Sequence, residues 1–321
     1  MSGHAALAVV MIGILRPVAA FMPCHRALAV ARFVGAASAA MPFYGRARAS
    51  QFHEAFGRDL DAREAKRLAA EDQARRLCDF VVLRRVLLYG RSDFDQWHVE
   101  QRSTASVDAL RASDESFILA TGHFSRQACT ALYVPEVVPQ KITSILHPRK
   151  KRTLNPHTWW LSYHYGQMLD CLRFAQPEMQ FVHPGQIGAH RRAVETLGRA
   201  RNAVVVYVDA RPETRRNGCY VRSFAGVKAR AFATGAAHLS RMTGRPILVC
   251  IPYLADDRTI VLDWTRVIRP PPGGDEKSDI AVTNLILDDI EKAIGRRPGQ
   301  YVLDYLGERR WDARAEQWVS S

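Results

Sequence analysis

The sequence predicts an α/β fold, with a central, mostly parallel or mixed sheet flanked by helices and a helical N-terminal extension. From residue 116 onward, short runs rich in Val and Ile alternate with amphipathic stretches, as expected of a buried sheet covered by helices. Residues 41–115 instead show helical spacing of apolar residues. The length of 321 residues fits one large α/β domain or two small ones. We predict an apolar N-terminal segment over 1–40 and one α/β domain over 41–321.

The chain starts with an apolar run that is too short to cross a bilayer. The run covers residues 5–15 and is interrupted by Arg16, whereas a hydrocarbon core needs about 20 apolar residues. A signal peptide needs positive charge ahead of such a run, and the opening MSGH offers only a histidine. We expect residues 5–22 to lie shallowly in a membrane surface without being cleaved. A buried core helix and a true span are the alternatives, in that order.

An amphipathic helix is predicted within residues 59–89. Its apolar positions recur at near-helical spacing with charged residues between them, so this face is expected to pack in a core. These positions are Leu60, Ala65, Leu68, Leu77, Phe80, Leu83 and Val86.

The remainder is predicted to alternate between strands and helices. A Pro/Gly cluster at 270–274 is predicted to be a loop before the last helix rather than a domain boundary. The predicted strands are 116–121, 142–146, 179–182, 203–208, 247–253 and 259–264. The predicted helices are 126–133, 156–172, 187–200, 229–243 and 279–295.

Composition limits the partners of the protein. Lys and Arg total 45 against 32 Asp and Glu, so the net charge is +13. Such an excess fits nucleic acid, an anionic membrane surface, or an acidic protein or phosphate-bearing ligand. Nucleic acid is disfavoured because the charge is scattered and no helix-turn-helix, zinc-finger or RNA-binding motif occurs. The six cysteines lie far apart without a CxxC pair, which predicts no metal site, no disulfide framework and a reducing, cytosol-facing location.

Two strand ends carry residues suited to chemistry. The strand 116–121 runs into Gly122 and His123, and the strand 203–208 runs into Asp209. Ligands bind at the carboxyl ends of strands in open α/β sheets, where a histidine can act as a base. Taken alone, a histidine after a strand is more typical of a hydrogen-bonded structural residue. Likewise, the small residues of the helix predicted at 229–243 are typical of close packing. They are Ala229, Ala231, Ala233, Gly235, Ala236 and Ala237.

Together, these segments resemble the lipid A biosynthesis acyltransferases, the lauroyl and myristoyl transferases of the lysophospholipid acyltransferase superfamily. The resemblance covers most of the chain, and its parts occur in the family's order. They are the apolar start, AFGRDLDAREAKRLA (55–69), GHF (122–124), the segment from Asp209 through Gly218 to FAG (224–226), and RPGQYVLDYLGERRW (297–311). The last part is similar to the family ending P-E-Q-Y/W-x-W-x-H-R-R-F.

The resemblance implies transfer of a fatty acyl chain to a lipid hydroxyl at the cytoplasmic face of the inner membrane, by a peripheral or monotopic protein. The donor would be a thioester of acyl carrier protein or coenzyme A, with no other cofactor. An acidic carrier protein and an anionic membrane surface would be the partners. In the family, a histidine removes the acceptor proton, and a carboxylate in a His-x4-Glu or His-x4-Asp pair orients and stabilises the imidazolium.

The sequence departs from this pattern because the family carboxylate is missing. His123 matches the histidine, but the carboxylate position holds Ala128 and its neighbour Gln127 is neutral. Three explanations remain open. A carboxylate from elsewhere serves His123, or the acceptor is an amine that needs less base assistance, or the protein is inactive. For the first explanation, Asp209 is the best candidate, with Asp170 and Glu136 weaker.

Other residues complete the candidate site. The basic run HPRKKR (147–152) contains Arg149, the nearest match to a family arginine, and fits an acidic partner or a solvated loop. Cys129 could form an acyl intermediate, although a buried inert thiol is the commoner case. The aromatic stretch TWWLSYHY (158–165) fits an interfacial belt, an acyl-chain wall or ordinary packing. The candidate substrate-binding residues are Arg149, Arg216, Gly218, Phe224 and Gly226.

Three functions therefore remain. The leading one is acyl transfer to a membrane lipid of the lipid A type. The second is acyl transfer to an amine or small molecule in specialised metabolism. The third is a catalytically dead, membrane-associated binder of carrier protein or lipid.

Overall fold

The computed structural model describes most of the chain, which divides into two compact units. The first unit comprises residues 1–98 and 148–177, and the second comprises residues 99–147 and 178–321. The described residues are 10–40, 42–56, 60–90, 98–124, 141–145, 159–175, 178–183, 187–210, 212, 218–256, 259–271, 273–302, 309–312 and 317–320.

The helices follow a π-helical turn at Val10–Leu15 and precede a 3₁₀ turn at Pro298–Gln300. They are α1 (Arg16–Phe21), α2 (Cys24–Ala39), α3 (Pro42–Phe56), α4 (Ala62–Tyr89), α5 (Ala105–Arg111), α6 (Trp159–Ala175), α7 (Ala189–Leu197), α8 (Gly235–Thr243) and α9 (Glu276–Arg296). The strands are β1 (His98–Arg102), β2 (Phe117–Thr121), β3 (Lys141–Ile145), β4 (Gln180–Val182), β5 (Asn202–Tyr207), β6 (Cys219–Phe224), β7 (Val227–Ala233), β8 (Ile247–Leu254), β9 (Thr259–Ile268), β10 (Arg309–Asp312) and β11 (Gln317–Ser320).

In the first unit, the long helix α4 buries the face that the sequence predicts. The helix begins at the N-cap Asp61, whose carboxylate accepts a hydrogen bond from the Glu64 amide at 2.7 Å. It ends before Gly90, which has a φ of 73°. Leu60 lies ahead of the helix and is half-buried. The other predicted face positions are all buried, namely Ala65, Leu68, Leu77, Phe80, Leu83 and Val86.

The N-terminal segment is held against α4. Arg85 donates hydrogen bonds to the carbonyl oxygens of Ala19 and Met22, at 3.0 and 2.6 Å, and the Tyr89 hydroxyl bonds the Ala20 carbonyl. These contacts satisfy carbonyls at the end of α1 that lack helical partners. Within the described part of the chain, no helix has both the length and the apolar character needed to cross a membrane.

The helices α2 and α4 approach each other closely at one glycine. A Cβ atom built on Gly35 would lie 2.4 Å from the Cα of Ala74, which is closer than atoms can pack. Gly35 is therefore required by the neighbouring backbone and not by its own conformation.

The second unit is built on a mixed seven-stranded sheet, which confirms the predicted fold class. The strand order is β1-β9-β8-β2-β5-β3-β4, and β8, β2, β5, β3 and β4 run parallel. β9 pairs antiparallel with β8. All six predicted strands are present, as β2, β3, β4, β5, β8 and β9. The described residues of the 270–274 cluster form a loop before α9, as predicted.

Two secondary-structure predictions are wrong in part. Residues 229–233 are not helical, because Val227–Ala233 forms β7 and only Gly235–Thr243 is helix. Pairing with β6 overrides the helical propensity of the alanines, since Ala231 and Phe232 lie opposite Val221 and Tyr220. Residues 98–102 within the predicted helical stretch form β1. The helix predicted at 126–133 lies outside the described residues.

We expect Gly35→Ala to destabilise the protein by about 1–3 kcal/mol, because the added methyl group forces α2 and α4 apart. The matched control is Gly295→Ala in α9, where an added Cβ meets no atom within 4 Å. The control should be neutral or slightly stabilising through helix propensity. Thermal and urea unfolding of both variants measure the difference, and equal stabilities would contradict the close crossing.

Candidate active site

The candidate site lies where two parallel strands end side by side. β2 and β5 pair in register, with Phe117 opposite Ala203 and Thr121 opposite Tyr207. The pairing continues beyond the strands, since the Val208 amide donates to the Thr121 carbonyl at 3.0 Å. His123 and Asp209 each lie two residues past the last pair. The register of the sheet therefore brings them to the same level.

The carboxylate of Asp209 is directly hydrogen-bonded to His123. Its Oδ1 lies 2.6 Å from Nδ1 of the His123 ring, and its Oδ2 accepts the His123 backbone N–H at 2.8 Å. Oδ2 also accepts the hydroxyl proton of Tyr301 at 2.6 Å. An ionised carboxylate only accepts hydrogen bonds, so Nδ1 carries the ring proton. Nε2 of the neutral ring then keeps its lone pair, as a general base requires.

The site is buried, and its contacts keep the carboxylate charged. Asp209 is fully buried and His123 is 6% exposed. Burial alone would raise the pKa of Asp209. The positive charge that the His123 ring carries when it is protonated, together with hydrogen bonds from His123 and Tyr301, outweighs burial and lowers that pKa below its ordinary value.

Neighbouring residues fix the positions of the pair. The His123 ring lies 4.6 Å from that of Tyr207, centroid to centroid. A Cβ built on Gly122 would lie 3.3 Å from Oδ2 of Asp209, so the absence of a side chain there lets the carboxylate approach without crowding. The buried Arg230 donates to the main-chain carbonyl of Asp209 at 2.7 Å. Both the side chain and the backbone of Asp209 are thus held.

Tyr301, Tyr207 and Arg230 contact this pair but are not among the residues selected from sequence. Tyr301 lies in the RPGQY segment that carries part of the family resemblance, which was the available signal. Tyr207 ends the apolar run of β5, and a tyrosine in a strand gives no indication of a contact with a site residue. Arg230 falls in the segment wrongly predicted to be helical.

The predicted substrate-binding residues that are described lie in or beside the β6–β7 hairpin. Ala225 and Gly226, with φ values of 47° and 84°, form the two-residue turn between the strands. Phe224 is fully buried, with its ring 6.4 Å from that of Tyr301. Gly218 has a φ of 80° and donates its N–H to Glu276 at 2.9 Å. A role of these residues in binding substrate stays a prediction.

Several predicted residues lie outside the described part of the chain. These are Gln127, Ala128, Cys129, Glu136, Arg149 and Arg216, as well as the basic run at 147–152. Asp170, a weaker carboxylate candidate, lies on α6 with its side chain 64% exposed. The side chains of the aromatic stretch 158–165 are likewise not described.

The described cysteines differ in burial. Cys24 and Cys219 are half-buried, and Cys78, Cys171 and Cys250 are buried. Burial raises the pKa of Cys171 to about 12 and that of Cys250 well above its ordinary value. Neither of these two buried thiols is suited to act as a nucleophile near neutral pH, because the reactive species is the thiolate.

We expect Asp209→Asn to destabilise the protein at pH 7 by about 2 kcal/mol, through weakened hydrogen bonds to a charged group. The lowered pKa means that ionised Asp209 contributes stability above its unfolded pKa of about 3.9. This stability is lost as the pH falls through the folded-state pKa. The difference between wild type and variant should therefore narrow below about pH 4.

Urea unfolding between pH 7 and pH 3 measures this difference. The control is Asp114→Asn, because Asp114 pairs with Arg201 at the surface with both side chains 68% exposed. Exposed pairs contribute little, so this variant should behave like wild type. A pH-independent loss of stability in Asp209→Asn would contradict the lowered pKa.

Comparisons with known proteins give structural likenesses but no match in sequence. No family model matches the sequence, and no curated protein matches it. The solved structure of the 1-acyl-sn-glycerophosphate (LPA) acyltransferase PlsC from Thermotoga maritima is similar to this chain with a TM-score of 0.38 and 15% sequence identity. The match covers 70% of this chain and 83% of that protein. A likeness of this size supports no conclusion about activity.

Proposed function

We propose that the protein is an acyltransferase that moves an acyl chain from a thioester to an acceptor, with His123 as the general base. The observation that carries this proposal is the 2.6 Å contact between Oδ1 of Asp209 and Nδ1 of His123. The lipid A acyltransferases that the sequence resembles have a carboxylate five residues after the histidine, whereas position 128 of this chain is an alanine. Asp209 supplies that group from the neighbouring strand.

The proposed reaction uses the two nitrogens of the ring differently. Nδ1–H stays bonded to Asp209, while Nε2 takes the proton of the acceptor as its oxygen or nitrogen attacks the thioester carbonyl. The carbon–sulfur bond of the tetrahedral intermediate then breaks. The leaving thiolate takes the proton from His123, which returns to its neutral form. The products are the acylated acceptor and the free thiol of the carrier.

A hydroxyl acceptor is favoured over an amine. A missing carboxylate would suit an amine acceptor, since an amine needs less help from a base. The buried carboxylate of Asp209 can stabilise the imidazolium, which meets the need of a hydroxyl acceptor. The same contact favours an active enzyme over a catalytically dead binder. Acyl carrier protein or coenzyme A is the proposed source of the thioester.

We further propose that the N-terminal segment rests on an anionic membrane surface. Residues 1–53 contain no Asp or Glu and carry five arginines, of which Arg48 is buried against Asp72. Phe21 and Phe33 are exposed by 86% and 75%, unusual values for phenylalanine, and Ile14 is 45% exposed. Exposed aromatic residues next to basic ones fit an interface between lipid headgroups and acyl chains. This proposal sets the enzyme beside a lipid acceptor.

We expect His123→Ala to lower the rate of acyl transfer about 10²–10⁴-fold, the usual contribution of a general base. Asp209→Asn should be nearly as damaging, and the double variant little worse than either, because residues that act as one unit are not additive. His190→Ala, which removes an exposed histidine of the same unit, serves as the control.

The assay uses carrier protein loaded with a radiolabelled acyl chain, together with either membrane lipid or soluble amines. Label should appear in the lipid fraction. Label found only in soluble amide would contradict the lipid acceptor. Wild-type rates in His123→Ala would contradict the base.

We expect the double variant Phe21→Ser, Phe33→Ser to bind anionic vesicles at least about ten-fold more weakly than wild type, because each lost ring removes apolar area from the interface. Both side chains are exposed, so the fold should be unchanged. A deletion of the segment is a poorer test, because Leu15 and Ala19 are fully buried.

Sedimentation with vesicles of phosphatidylglycerol and phosphatidylethanolamine measures the binding. The matched control is Phe174→Ser, since Phe174 is 54% exposed on α6 of the same unit. Unchanged binding in the double variant would contradict the proposed membrane surface.

A further inference from the structure

A short C-terminal segment, Pro298–Val302, spans the ends of three strands of the sheet. Gln300 makes two hydrogen bonds to the backbone of Leu254 at the end of β8, each 2.8 Å long, through its Oε1 and Nε2. The Val302 amide donates to the carbonyl of His123, beyond β2, at 2.8 Å. The residue between them, Tyr301, reaches Asp209 beyond β5. We refer to Pro298–Val302 as the clasp.

The clasp fixes the direction of the Tyr301 hydroxyl. The Tyr301 ring is fully buried and lies edge-on against Phe124, with 5.4 Å between the centroids, and near Phe224. Phe124 and Tyr301 also form an antiparallel bridge between their backbones. The side chain of Gln300 and the backbone of Val302 hold the chain on either side of Tyr301. The enclosed ring therefore has little freedom to turn its hydroxyl elsewhere.

The Tyr301 hydroxyl and the His123 backbone N–H together determine which oxygen of Asp209 faces the imidazole. Oδ2 accepts from the Tyr301 hydroxyl and from the His123 backbone N–H, which leaves Oδ1 for Nδ1. The terminal torsion of an aspartate is soft, so a carboxylate held only by the two His123 contacts keeps some freedom to rotate. A second donor on Oδ2, from a separate part of the chain, removes that freedom.

We infer that Tyr301 is a positioning residue for the catalytic pair, acting through Asp209, and that the clasp is part of the catalytic apparatus. The inference rests on the proposed role of His123 as base. Tyr301 touches neither the acyl donor nor the acyl acceptor in this scheme. Its effect should therefore appear in the state of the His123 ring and in kcat, and little in KM.

The test is Tyr301→Phe, which keeps the buried ring and removes only the hydroxyl. The matched control is Tyr220→Phe, which removes a hydroxyl of the same unit that is bonded to Asn284 at 2.8 Å instead of to Asp209. We expect kcat to fall about ten-fold in Tyr301→Phe, with KM within about two-fold of wild type. The control should retain wild-type kcat.

A second readout does not depend on acyl transfer. The Nδ1 proton of His123, bonded to a carboxylate at 2.6 Å, should give a strongly downfield proton resonance in protein with ¹⁵N-labelled histidine rings. His123→Ala assigns this resonance by its loss. In Tyr301→Phe, it should move upfield and exchange faster with water. In Tyr220→Phe, it should stay as in wild type.

A further variant, Gln300→Leu, loosens the clasp while keeping Tyr301. It should shift the resonance in the same direction but by less. A wild-type resonance in both Tyr301→Phe and Gln300→Leu would overturn the inference, whatever the activity. A shifted resonance in a protein that transfers no acyl group would support the positioning role while refuting the proposed function.

Discussion

Burying the ionised carboxylate of Asp209 imposes the requirements that organise the second unit. Burying an ionised carboxylate away from water costs much free energy unless hydrogen-bond donors surround it. The cost is greatest when one of those donors is missing. The donors here come from the end of β2 and from the C-terminal clasp, which are far apart in the sequence. The chain must therefore complete the parallel sheet and then return to it after α9. Gly122 belongs to the same requirement, because a larger residue would press on the carboxylate.

The first unit also contains a buried, hydrogen-bonded aspartate, which has a structural role there. Asp72 on α4 is fully buried and accepts from Nε of Arg48 at 2.8 Å and from Nε of Arg76 at 2.9 Å, with Arg75 also bonded to it. Arg48 lies on α3, so the carboxylate joins two helices. Nothing in this cluster resembles a base beside an acceptor site. A buried aspartate is thus a means of assembly in one unit and is proposed to assist chemistry in the other.

The sequence was most informative where local pattern and tertiary structure agree. Runs such as AVVVY (203–207) are rich in valine and mostly buried, so β5 was predictable, and the strand-end rule then placed Asp209 beside His123. β7 was not predictable, because KARAFA (228–233) is rich in alanine and becomes a strand only through its partner β6. Tyr301 was missed for a related reason. Its hydroxyl acts on a residue 92 positions away, and no local pattern encodes that distance.

The shared register of β2 and β5 also has a consequence for how such a site can change over time. In a His-x4-Asp pair, one short segment has to meet two requirements. It continues the chain after the strand, and it also supplies the carboxylate. Under the proposed function the charge comes from Asp209 after β5, so position 128 no longer has to supply it and can vary. The constraint moves to the pairing itself, because a slip of one residue between β2 and β5 would turn Asp209 to the opposite face of the sheet. Insertions between the two strands are then tolerable, whereas an insertion within either strand is not.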